Sequence, residues 1–173
     1  KRGDTVLLND PYAGGTHLPD VTLVSPVFIG EQKQASYYVS NRAHHADIGG
    51  RSAGSMPSSR TADGAQHTLS IEDEGFRSGP ALLDDDLRQR FTQSSRTPNE
   101  RMGDLRAQEA ALHVGKKRLA QLASFLNPQL DNALLDDSQQ RMISILKELP
   151  QGVYTFEDYL DDDGLGHQPL ALP

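Results

Sequence analysis

Apolar and polar positions change their rhythm midway along the chain. Early on, short runs rich in β-branched residues alternate with turn residues: 5 to 8, then 21 to 29 with Val21, Thr22, Leu23, Val24, Val27, Phe28 and Ile29, then 35 to 40. Runs of this length and composition fit half-buried strands. Asn9-Asp10-Pro11-Tyr12-Ala13-Gly14-Gly15 separates the first two and is turn-rich, while Gly30-Glu31-Gln32-Lys33 is short enough to join the second and third as antiparallel neighbours. A loop is expected to begin at Asn41-Arg42. From Gly49 to about Arg60 the residues are mostly Gly, Ser, Pro and Arg without a period, and residues 61 to 80 stay irregular, which predicts a long functional loop or lid.

The later residues carry the helical period. Thr97-Pro98-Asn99-Glu100 supplies a Thr cap, a proline at the first helical position and a glutamate three residues after the cap. Leu105, Leu112, Leu119 and Leu126 recur every seven residues, with Met102, Leu122 and Ala123 on the same stripe. This predicts a helix to about Leu126 that stops at Asn127-Pro128. A second helix is expected from about Ser138 to Leu149, ended by Pro150-Gln151-Gly152 and paired with the first as a helical hairpin. Val153 to Leu160 then resumes as a strand, and the acidic turn Asp161-Asp162-Asp163-Gly164 points toward a partner of which the chain holds little.

The expected fold class is therefore α+β, an antiparallel-rich sheet region with long loops followed by a helical hairpin and a further strand. Residues 1–95 form the strand and loop region, 96–150 the hairpin, and 151–173 a strand and turn leading into further chain. Together they read as one domain, incomplete at both ends. No internal repeat marks a solenoid.

Composition sharpens this picture. A length of 173 residues suffices for a core, yet a hydrophobic share of 36% and a mean hydropathy of −0.57 are low for a free-standing globule and suggest surfaces completed by further chain. Lys and Arg number 17 against 24 Asp and Glu, a net charge of −7 that argues against a nucleic-acid partner. With no cysteine the chain has neither disulfides nor thiolate chemistry, so any metal must use His, carboxylate or carbonyl ligands. No apolar run is long enough for a membrane span, residues 1 to 15 lack a signal-peptide core, and the expected setting is soluble and cytoplasmic. Lys1-Arg2-Gly3-Asp4 leads straight into the first strand without an initiator Met, as in an interior segment.

Candidate chemistry concentrates in the first third, where His17, His44 and His45 each stand near a carboxylate. His17-Leu18-Pro19-Asp20 places imidazole and carboxylate three apart around a stiffening proline, and His44-His45-Ala46-Asp47 repeats the offset before Ile48-Gly49-Gly50. Two such motifs at the ends of adjacent strands would close a nitrogen and oxygen site suited to Mn, Fe or Zn and poor for Ca. The same spacing also describes a plain hydrogen-bonded His–Asp pair in a loop, and the residues alone leave both open. Gly14-Gly15 lacks the Gly-Lys-Ser/Thr continuation of a phosphate loop. His67, His113 and His167 have no such neighbours and read as surface or structural. On the long helix, Asp104, Gln108, Ala111 and Gly115 share one small, polar face that either is solvated or docks inward while the leucine stripe packs on the second helix.

Asn9-Asp10-Pro11-Tyr12, Gly14-Gly15-Thr16-His17-Leu18-Pro19-Asp20, the run from Asn41 to Gly50, Gly54-Ser55-Met56-Pro57, and Arg96-Thr97-Pro98 followed by Gly103-Asp104-Leu105-Arg106-Ala107-Gln108 together resemble the signature blocks of the hydantoinase B family. The blocks follow the family order over residues 3 to about 120, and Asp162-Asp163-Gly164 agrees with the next segment. That family includes N-methylhydantoinase beta subunits, the C-terminal half of 5-oxoprolinase, and subunits of acetone and acetophenone carboxylases. These are much longer chains, so the resemblance is to an interior segment.

The resemblance implies ATP-dependent chemistry in which a hydantoinase A-type subunit or domain uses ATP to phosphorylate a carbonyl oxygen, and this chain completes the reaction at a divalent metal. The expected metals are Mn, Zn, Fe or Mg, with Mn favoured. In the carboxylase relatives the ligands are the His and Asp of the first motif and the first His of the second, which carries over to His17, Asp20 and His44, with Asp47 nearby. Carboxylase members usually have another residue where His45 stands, which makes His45 a proton carrier of the amidohydrolase branch. The expected substrate is a small cyclic amide of 5-oxoproline or hydantoin type, with His45 or Asp47 moving a proton and Arg42 meeting an anionic phosphate or carboxylate. An oligomer is expected. Two alternatives stay open: a subunit of an ATP-dependent ketone carboxylase, and a non-catalytic interaction segment with an incomplete site.

Overall fold

Three β-branched runs and one short edge segment make a four-stranded sheet: β1 (Val6–Leu8), β2 (Asp20–Val27), β3 (Tyr37–His44) and β4 (Ala81–Leu82), in the order β3-β2-β1-β4 with every pair antiparallel. This is a computed structural model, and it describes residues 1–58, 70–122, 125, 128–160 and 170–172. On β2, Val21, Leu23, Ser25 and Val27 are buried while the alternate positions are less so, as expected of a sheet with one covered face. The pairing of β2 with β3 runs from Val27 opposite Tyr37 to Asp20 opposite His44. The third strand therefore continues beyond Ser40 through Asn41, Arg42, Ala43 and His44, where a loop was expected. Its alternation persists, with Asn41 and Ala43 set apart in exposure from their neighbours, and the polar Asn41 is accommodated because it finds hydrogen-bond partners.

The helices that cover the sheet are α1 (Asp85–Ser94) and α2 (Pro98–Gln121). Helix α1 falls inside the region expected to be strand and loop. Asp84 caps it, its carboxylate accepting the Leu87 N–H at 2.8 Å, and Leu87 and Phe91 bury one turn apart. Helix α2 starts where its cap and proline predict, and buries Arg101, Leu105, Gln108 and Leu112 against β2, β3 and α1. The core joins Leu7, Leu18, Val21 and Leu23 from the strands and turns with Ile48, Leu87, Phe91, Leu105 and Leu112.

Two details of α2 differ from expectation. Leu105 and Leu112 enter this core rather than a helix–helix seam, because the stripe at every seventh position coincides with the face turned to the sheet; Leu122 is 52% exposed. Of the small face, Gln108 and Gly115 turn inward whereas Asp104 and Ala111 stay exposed. A Cβ on Gly115 would stand 2.7 Å from Val39 Cγ1, so glycine is what lets the helix approach β3. The expected end at Leu126 lies outside the described residues.

The chain divides into two compact units, Lys1–Ala123 and Ser124–Pro173. In the second, α3 (Pro128–Glu148) begins well before Ser138, with a proline in its first turn, and β5 (Asp158–Leu160) pairs antiparallel with β6 (Leu170–Leu172). The strand expected from Val153 is thus shorter, and its partner lies within the chain. The acidic turn between them, Asp161 to Gly164, lies outside the described residues. Among the described residues no helix is long and apolar enough to cross a membrane.

Gly115→Leu should lower the stability of the first unit by about 1–3 kcal/mol through overpacking against Val39. Urea denaturation checks this, and an unchanged midpoint would show that the helix can lift from the strand without cost.

Candidate metal centre

The loop between β1 and β2 is shaped before it reaches its first histidine. Asn9, buried, donates to the carbonyls of Leu18 (2.7 Å) and Phe76 (2.8 Å) and accepts from Ser78 N–H (2.7 Å), tying this loop to the segment before β4. Gly15 folds back so closely that a Cβ there would collide with the backbone oxygens of Asn9 and Asp10. The Asp20 N–H then donates to the His17 carbonyl at 2.9 Å, making a tight turn whose middle residues, Leu18 and Pro19, are buried. The turn leaves His17 and Asp20 at its two ends, with Asp20 as the first residue of β2.

Across the ladder from Asp20 stands His44, the last residue of β3. Its Nδ1 lies 2.8 Å from Asp20 Oδ1, and its ring centroid lies 5.5 Å from that of His17. One donor atom from each of His17, Asp20 and His44 falls within 4.8 Å of the other two. Ligand atoms at about 2.0–2.2 Å from an ion stand roughly 3–3.5 Å apart in tetrahedral or octahedral geometry. The Asp20–His44 separation of 2.8 Å is close to that spacing, and the His17 donor lies within 4.8 Å of both. Two imidazole nitrogens and one carboxylate oxygen suit a borderline divalent ion. The donor set and its spacing fit the metal that the sequence implied.

Arg42 shares the outer face of β3 with His44. Its Nε donates to Thr22 Oγ1 (2.9 Å) and its Nη1 to Thr16 Oγ1 (3.0 Å); among the described residues no carboxylate pairs with it. Arg42 and His44 also line a groove along the edge of β3, facing Asp104 and Ala107 of α2.

His45 and Asp47, expected to move a proton, both stand outside the His17, Asp20 and His44 cluster. His45, 1% exposed, lies on the side of β3 facing α2, with Nε2 2.9 Å from Gln108 Oε1 and its ring edge-on to Phe91. Because Gln108 Nε2 donates to the Val21 carbonyl (3.0 Å) and to Asn41 Oδ1 (3.1 Å), its oxygen must face His45, which places the imidazole proton on Nε2. Burial pushes the His45 pKa below its ordinary value; the Gln108 hydrogen bond opposes this, and the Arg101 charge adds to it. The ring forms part of the wall of the groove that Arg42 and His44 also line, and its Nδ1 has no hydrogen-bond partner among the described residues.

Asp47 lies apart from the cluster, although its offset from His44 matches that of Asp20 from His17. Its carboxylate accepts from the N–H groups of Gly49 (3.0 Å), Gly54 (3.2 Å) and Arg96 (3.2 Å) and from Arg96 Nη1 (2.9 Å). Burial alone would raise its pKa, but these donors outweigh it and hold it at about 2. It organises the loop after β3 and anchors the start of α2. The signal for this partner was the Arg96-Thr97-Pro98 block, which resembled a family signature but gave no indication that Arg96 pairs with Asp47. His113 is exposed on α2, and His67 and His167 lie outside the described residues.

The family model described as Hydantoinase B/oxoprolinase matches residues 1–172. The chain is 33% identical to the 5-oxoprolinase of Dictyostelium discoideum, covering 94% of this chain and 13% of that protein. It is 38% identical to the 5-oxoprolinase PfmaA of Pestalotiopsis fici, over 66% of this chain and 9% of that one. Among solved structures, the ATP-dependent caprolactamase from Pseudomonas jessenii shares the fold over 87% of this chain and 26% of that chain, with a TM-score of 0.69 at 23% identity. The chain thus spans a small fraction of the length of each relative.

The depressed Asp47 pKa ties stability to acid pH in a definite direction. Its folded value of about 2 lies below the ordinary 3.8, so its contribution is fully present above pH 4 and lost as pH falls through 2. That contribution is about 2 kcal/mol. Asp47→Asn should flatten the loss of stability between pH 4 and 2 in metal-free buffer; parallel curves for the two proteins would show that Asp47 does not drive it.

Proposed function

The chain belongs to the hydantoinase B/oxoprolinase family, and from that premise we propose that it carries the metal-binding portion of an ATP-dependent enzyme that opens a cyclic amide of the 5-oxoproline or hydantoin type. The observation behind this reading is the convergence of His17, Asp20 and His44, which come from one turn and two strands. Three protein ligands leave positions open for water and substrate, the arrangement of a catalytic site rather than a structural one. An ion of the Mn²⁺ class, when bound, supplies Lewis-acid polarisation of an oxygen and lowers the pKa of water.

The chain's own residues have separable tasks in this reading. His17 and His44 supply imidazole nitrogens, and Asp20 supplies a carboxylate oxygen. Arg42, pre-set by Thr16 and Thr22 beside His44, receives an anionic phosphate or carboxylate of the substrate. His45 and Asp47 keep the end of β3 and the following loop in place. Carbonyl activation by ATP belongs to a hydantoinase A-type partner. In keeping with that division, the Gly15 N–H of this chain is spent on the Asp10 carbonyl at 2.8 Å, so the loop does not present it to a phosphate. Accordingly the 173-residue chain by itself should turn over neither 5-oxoproline nor hydantoin, with or without ATP; ring opening by the purified chain, followed by chromatography, would contradict the division of labour.

Calorimetric titration with Mn²⁺ separates the roles of the residues. His17→Ala and His44→Ala should each weaken binding by more than about 100-fold, beyond the range of supporting residues. Arg42→Ala should leave Mn²⁺ affinity unchanged and instead raise KM for an anionic substrate in the complete enzyme. Metal affinity retained in both histidine variants would remove the basis of the reading.

A further inference from the structure

The two donors borne by strands are gripped from the opposite face of the sheet by one side chain. Gln108 is 6% exposed, and its amide reaches the residue that follows each donor: Nε2 donates to the carbonyl of Val21, next to Asp20, and Oε1 accepts from His45, next to His44. Asn41 completes the arrangement, accepting from Gln108 Nε2 and donating its own Nδ2 to the Gln108 backbone carbonyl at 2.8 Å. The amide cannot flip without placing its oxygen against the Val21 carbonyl, acceptor against acceptor.

Among the described residues β3 is an edge strand, paired only with β2, and its ladder ends at the Asp20–His44 pair. The last pair of a ladder is where pairing frays most readily. Beyond it, the end of β3 is held by the His45 N–H on the Pro19 carbonyl at 2.8 Å and by Gln108. Metal ligand distances tolerate only about 0.2 Å of misplacement, so whatever fixes the separation of Asp20 and His44 also fixes affinity.

We propose that Gln108 is a positioning residue of the metal site: through Val21 and His45 it sets the separation of Asp20 and His44 without itself touching the ion. This rests on the reading of His17, Asp20 and His44 as ligands. A merely structural Gln108 would affect melting temperature and leave a folded site unchanged, whereas a positioning residue changes the site while the protein remains folded.

The test uses the 173-residue chain titrated with Mn²⁺ by calorimetry and with Co²⁺ by visible absorption, at temperatures where circular dichroism shows each variant folded. Gln108→Met removes both grips. Gln108→Glu keeps the shape and the acceptor toward His45 but turns the donor facing the Val21 carbonyl into an acceptor, and it carries the test if Gln108→Met does not fold. Leu112→Val or Leu112→Ala, whichever matches the fall in melting temperature, is the control, since Leu112 lies on the same buried helix face and serves the core alone. Both Gln108 variants should weaken Mn²⁺ binding by about 10–100-fold and shift the Co²⁺ absorption bands, while the Leu112 control keeps affinity and spectrum. Unchanged affinity in the Gln108 variants, or an equal loss in the Leu112 control, overturns the positioning role even where the unsubstituted chain binds metal. Absence of binding by the unsubstituted chain overturns the ligand assignment itself, and the positioning role with it.

Discussion

The site depends on the antiparallel register between β2 and β3. Side chains alternate between the faces of a sheet, so a slip of one residue would send His44 toward α2 and bring His45 outward. The observed pairing of Asp20 with His44 settles which of two adjacent histidines meets the carboxylate. The turn from His17 to Asp20 does the rest, since its hydrogen bond and buried Leu18 and Pro19 fix where His17 stands relative to the start of β2.

The two faces of this sheet do different physical work. The outer face gathers His44, Arg42 and Thr22 in a setting where charge is cheap to keep hydrated. On the covered face the buried His45 Nδ1 is left without a partner among the described residues, Ser25 bonds to Thr5, and Gln108 hydrogen-bonds to both Asn41 and His45 across the junction of strand and helix. Buried polar groups matched in this way cost little and specify one arrangement, since any displacement leaves donors without acceptors. Asp47 acts comparably in the loop that follows, joining the backbone after β3 to Arg96 at the entrance of α2.

Much of this was legible in the sequence, for identifiable reasons. The β-branched runs of β1 and β2 and the Thr97-Pro98 start of α2 carry strong local signals, and the structure follows them. The length of β3 was hidden because Asn41, Arg42 and His44 look like loop residues until their cross-strand partners are known. Helix α1 was missed because its buried face comprises little more than Leu87 and Phe91 amid charged residues, although Asp84 to Asp86 form a recognisable acidic start. The repeated His-x-x-Asp spacing pointed to His44 through an aspartate that stands outside the cluster; strand register, a long-range property, is what brings His44 to Asp20. The enclosure of His45 depends likewise on a helix more than sixty residues away in sequence, a contact recorded at a separation of 63.

Anomalous diffraction at the manganese edge from crystals of the chain grown with Mn²⁺ tests whether His17, Asp20 and His44 hold the ion. One strong peak is expected at about 2.0–2.3 Å from a nitrogen of His17, a nitrogen of His44 and a carboxylate oxygen of Asp20, with His45 still bonded to Gln108. A peak bound by His45 or Asp47, or no peak between β2 and β3 at saturating Mn²⁺, would contradict that assignment.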